Sequence, residues 1–103
     1  MRAQLIHRES GVWLVSGDID FNSVARLSEA GCSAIEQSED RCQFDFSAVN
    51  SVNSVALSLL LNWRRKAQQQ GIEVEFSALP AELQAIAELS DLEWLIDAPD
   101  AIG

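Results

Sequence analysis

A chain of 103 residues with 48% apolar side chains is one domain, able to bury about 65% of its unfolded surface and too apolar to be disordered. Seven basic against 16 acidic side chains give a net charge of −9, which repels phosphate backbones and anionic lipid and argues against nucleic acid as a partner. The N-terminus lacks the apolar core and small-residue cleavage site of a signal peptide, and no run of about 20 apolar residues follows, so a soluble, cytoplasmic protein is expected.

In chain order, Ala3 to Arg8 and Gly11 to Ser16 are runs of β-formers separated by Glu9-Ser10, which predicts an antiparallel hairpin turning near Gly11. Val12 and Leu14 point to one face of the second run, Trp13 and Val15 to the other, so this strand should lie inside a sheet. Gly17 to Ser23 makes a loop in which Asn22 or Ser23 can cap the next helix. Val24, Leu27, Gly31, Ala34 and Ile35 then recur at helical spacing to about Gln37, with Gly31 small enough for close packing.

After the polar turn at Ser38-Glu39-Asp40, Cys42, Phe44 and Phe46 alternate with polar residues as a strand that extends to Val49. A polar corner (Asn50, Ser51, Asn53, Ser54) leads into an apolar helix that ends at Gly71. Ser54 is placed as its N-cap and Gly71 at the left-handed C′ position. Ile72, Val74 and Phe76 alternate with Glu73 and Glu75 as the next strand, completing a parallel crossover. Pro80 suits the first turn of a third helix reaching about Ser90; Leu92 to Ile96 reads as a last strand or a turn of helix, followed by an acidic, solvated tail.

The helix from Ser54 carries the strongest functional signal. At 100° per residue, Ser54, Ser58, Asn62, Arg65 and Gln69 share one polar arc of about 80°, and Val55, Ala56, Leu57, Leu59, Leu60, Leu61, Trp63 and Ala67 fill much of the rest. That apolar stripe is about twice as wide as one sheet face requires. Either neighbouring helices cover both flanks, or the flank carrying Val55 and Leu59 stays exposed as a docking patch for another protein or for a second copy of the chain.

Catalytic chemistry is sparse. His7 lies on a hairpin strand without an adjacent nucleophile, the five glycines form no phosphate-binding loop, and Asp18 and Asp20 fall short of a calcium-loop ligand set. Cys32 and Cys42 lack zinc spacing and are expected as reduced core thiols. Neither cofactor nor metal is expected, and enzymatic activity is the weaker hypothesis.

The residue order resembles the STAS domain family, named after sulfate transporters and anti-sigma-factor antagonists. Phe44-Asp45-Phe46-Ser47-Ala48-Val49 is similar to that family's strand, Val52-Asn53-Ser54-Val55-Ala56-Leu57 to its helix opening, and Gly17-Asp18-Ile19-Asp20 to its earlier Gly-x-Leu-Asp. Leu59-Leu60-Leu61 with the basic-polar end Arg64 to Gly71 is most similar to the small cytoplasmic STAS subunit class of the Mla lipid-asymmetry ABC transporter.

The resemblance implies an α/β STAS fold: a mixed sheet of four to five strands with three to four helices mainly on one side. It also implies a non-catalytic subunit, held at the inner membrane by docking on the ABC transporter ATPase through Asn53, Ser54, Val55, Ser58, Leu59 and Asn62. The alternative is an anti-sigma-factor antagonist switched by phosphorylation of Ser54. Asn53 stands where the family has Asp, and Val55 and Ala56 where it has small residues, often Gly.

Overall fold

The computed structural model describes residues 2–90. Strands β1 (Gln4–Glu9) and β2 (Val12–Asp18) precede helix α1 (Val24–Gln37), strand β3 (Arg41–Ser51), helix α2 (Val55–Gln70), strand β4 (Glu73–Ser77) and helix α3 (Ala81–Leu89). The sheet runs β1-β2-β3-β4, with β1 antiparallel to β2 and the other two pairs parallel. The mixed α/β sheet expected from the sequence is therefore present, with four strands and three helices among the described residues. The segment from Leu92 to Ile96 lies outside them.

Strand order explains the layering. The crossovers β2-α1-β3 and β3-α2-β4 step across the sheet in the same direction, so a common right-handed sense puts α1 and α2 on one face. Alternation along β3 supplies the apolar face: Cys42, Phe44 and Phe46 are buried toward the helices. Arg41, Gln43 and Asp45 occupy the other face, where Arg41 meets Glu73 at 3.5 Å and the Gln43 amide donates to Ser77 Oγ at 3.1 Å. On β2, Leu14 and Val15 are both buried although they point to opposite faces, as expected of an inner strand.

Trp63 of α2 is the centre of the helical layer. It is wholly buried, stacks on Phe44 with ring centroids 4.1 Å apart, and donates its indole N–H to the Ser28 carbonyl on α1 at 3.0 Å. This contact needs Gly31, where a Cβ would sit 2.1 Å from the indole ring. Beyond it, Lys66 Nζ reaches Glu36 of α1 at 2.7 Å, a hydrogen-bonded pair that raises the lysine pKa. Gly71 ends α2 with φ 68°: its N–H donates to the Gln68 carbonyl and that of Ile72 to the Ala67 carbonyl, the paired bonds of a Schellman stop.

Candidate docking site

The C-terminal ends of β2 and β3 turn into two adjoining loops, residues 19–23 and 52–54. Ile19 N–H donates to the Ser51 carbonyl at 2.9 Å and Ser51 Oγ to Asp18 Oδ1 at 2.9 Å, which ties the loops together. Asp20 organises the first: its Oδ1 accepts from the N–H groups of Asn22 and Ser23, and its carbonyl from Val24 N–H. Ser23 stands at the N-cap without a side-chain capping bond; its buried hydroxyl instead donates to the Asp18 carbonyl and accepts from Asp20 N–H. Asp20 thus takes the role expected of Asn22 or Ser23. At the tip of this well-bonded loop, Phe21 is 76% exposed.

The second loop differs from expectation by one residue. Ser54 is already helical, at φ −60° and ψ −20°, and its hydroxyl makes no capping bond. A capping side chain belongs on the residue whose backbone is still outside the helix, and that residue is Asn53: its Oδ1 accepts from Val55 N–H at 3.0 Å. The Ser54 side chain is left exposed and uncommitted.

Along α2, Ser58 is exposed, with its hydroxyl donating to the Val55 carbonyl at 2.6 Å, and Val55 is half-buried. Two other expectations change. Leu59 is only 1% exposed, because α1 packs over that flank while α3, through its buried Leu83 and Ala87, packs beside α2 on another. The wide apolar arc is thus largely explained by neighbouring helices, and a charge at Leu59 would test folding rather than docking. Asn62 is half-buried and donates to Ser28 Oγ and, at 3.8 Å, to Cys32 Sγ, so it pins α1 to α2.

Between the two helices lies an open groove of about 380 Å³, bordered by Val24, Ala25 and Ser28 on α1 and by Ser58, Leu61 and Arg65 on α2. The sequence singles out neither Phe21 nor Ala25, and Val24 only as part of the apolar stripe of α1. A signal for Phe21 was available: it is an aromatic residue outside any periodic run, inside an Asp-x-Asn-Ser turn.

A second cleft of about 410 Å³, at the opposite end of the sheet, contains His7 and Trp13 with rings 4.4 Å apart, but no cysteine faces it. Burial raises the pKa of both thiols, the opposite of an activated nucleophile. Among the described residues no three His, Cys, Asp or Glu side chains gather as a metal site, and no helix is long and apolar enough to cross a membrane.

A family model described as "Mlab, STAS domain" matches residues 3–97. Among solved structures, the chain is similar to the anti-sigma factor antagonist SpoIIAA in its unphosphorylated form, at 16% identity over 97% of this chain and 92% of that one, with a TM-score of 0.71. The phosphorylated form of the Bacillus cell fate determinant SpoIIAA gives 0.67 at 16% identity, covering 97% and 96%. An anti-sigma factor antagonist from Mycobacterium paratuberculosis gives 0.65 at 23%, covering 97% and 89%. At these identities the likeness is one of fold. No curated protein matches the chain by sequence.

Proposed function

The chain belongs to the STAS domain family, and from that premise we propose that it is a non-catalytic subunit docking on the ATPase of a phospholipid-transporting ABC complex, supporting its assembly or activity. The family description, which carries the Mla name, supports the transporter assignment. On this reading the protein is cytoplasmic and reaches the inner membrane through its partner.

The observation that carries the docking role is Phe21: a large aromatic side chain 76% exposed on a loop fixed by its own hydrogen bonds, beside the corner that presents Ser54 and Ser58. Rigid exposed aromatics are the usual anchors of protein interfaces. Burying a phenylalanine contributes about 1.5–3 kcal/mol, so Phe21→Ala should weaken ATPase binding by about 10- to 150-fold while leaving the melting temperature unchanged. Titration calorimetry with the purified ATPase subunit reads this directly; undiminished affinity would count against the site, and no binding by the unsubstituted chain against the partner.

A second reading has one observation of its own. The Ser54 hydroxyl is exposed and free of the capping role, so it is open to phosphorylation at a helix N-terminus, which favours added negative charge. On this reading the partner is an anti-sigma factor kinase. Incubation with such a kinase and ATP should add one phosphate to the intact mass, and an unchanged mass rejects the switch.

A further inference from the structure

Helix α2 contains none of the chain's 16 acidic residues but three of its 7 basic ones, Arg64, Arg65 and Lys66. The three differ in their surroundings. Lys66 is engaged by Glu36, and Arg64 lies over the Phe76 ring, 5.6 Å from its centroid. Arg65 is exposed at the border of the α1/α2 groove, where no described residue offers it an ion pair or hydrogen bond. Beside it the border is aliphatic, from Val24 and Leu61, while the polar amide of Asn62 is already bonded to Ser28. The groove therefore offers apolar surface and one uncompensated cation.

We propose that this groove receives an acidic amphipathic segment of the partner protein, with an aliphatic side chain entering between Val24 and Leu61 and a carboxylate on the Arg65 guanidinium. The inference rests on the reading of this corner as a docking site, but not on which protein docks there. The net charge of −9 does not forbid an acidic partner, because fields from charges beyond about 8 Å are screened at physiological ionic strength. Guanidinium and carboxylate in contact form a forked, charge-assisted pair that Lys would not reproduce.

Two synthetic helical peptides with the same leucine pattern, one carrying glutamates and one lysines on the polar face, separate this from non-specific attraction. In amide NMR spectra of the full chain, the acidic peptide should shift Ser28, Ser58, Asn62 and Arg65, with affinity falling by about tenfold or more on Arg65→Glu and also at high salt. Arg8→Glu, an equal charge change on β1, should have no effect. Equal binding of the lysine peptide, binding of neither, or indifference to Arg65→Glu would overturn the proposal. A chain that binds the acidic peptide but not the ATPase refutes the partner assignment alone; ATPase binding that ignores Arg65→Glu and salt refutes the groove chemistry alone.

Discussion

Gly31→Ala sets two effects of opposite sign against each other. In an unhindered helix the change is favourable by about 0.5–1 kcal/mol, since glycine loses more backbone freedom on folding than alanine. Here the new Cβ would lie 2.1 Å from the Trp63 indole, and the ring has nowhere to go: it is wholly buried, backed by Phe44 at 4.1 Å and tethered to the Ser28 carbonyl. Overpacking costs about 1–3 kcal/mol, and displacing the ring adds about 1 for the hydrogen bond and about 0.5–1.5 for the stack. The steric side wins, by about 1.5–5 kcal/mol. Urea unfolding followed by tryptophan fluorescence should show the midpoint falling by about 0.5 M or more, given slopes of about 1–3 kcal/mol/M. The exposed neighbour gives the control, since Ala30→Gly should cost only about 0.5–1 kcal/mol. An unchanged or raised midpoint for Gly31→Ala would mean that α1 and α2 are not in close contact, and the groove between them would lose its basis.

At the head of α2, Asn53→Ala should cost about 1 kcal/mol, the usual loss for a capping side chain, while Ser54→Ala should stay within about 0.5 kcal/mol; thermal melts of the two variants side by side decide which residue caps. The thiols set a pH dependence at the alkaline end. Burial raises both pKa values, so the folded state holds these protons more tightly than the unfolded chain does. Their contribution is complete below the ordinary thiol value of about 8.5 and is lost as pH rises through the higher folded values. Urea midpoints taken from neutral to alkaline pH should fall more steeply for the native chain than for Cys42→Ala, and equal slopes would contradict this.

Alternation and periodicity made the frame legible before any coordinates. Cys42, Phe44 and Phe46 announced a strand with one buried face, the 3.6-residue recurrence announced both long helices, and Gly31 and Gly71 carried their roles in their own chemistry. The site was legible in place but not in detail. A helical wheel states the direction of each side chain about its own axis, not where a neighbouring helix lies, so Leu59 looked as available as Val55 until α1 was seen to cover it. The cap was misplaced by one residue because Asn53 and Ser54 are both good capping types, and only the dihedral angles show which stands outside the helix. Asn62 was placed on a polar arc, but the sequence could not show that this arc borders Ser28 of α1.

The two possible controls on this surface are physically separate. Ser54 and Arg65 are eleven residues apart on one helix, about 16 Å at 1.5 Å per residue, or about two screening lengths at physiological ionic strength. A phosphate on Ser54, carrying a charge of about −1.5 to −2, would therefore leave the Arg65 contact almost untouched. It would act instead where Ser54 itself meets a partner, as bulk and as negative charge added to a corner that already holds the carboxylates of Asp18 and Asp20. On the proposed docking reading, anchoring by Phe21 and charge matching at Arg65 make two separate contributions to one interface, and the Arg65 contact lies too far along α2 for a phosphate on Ser54 to disturb.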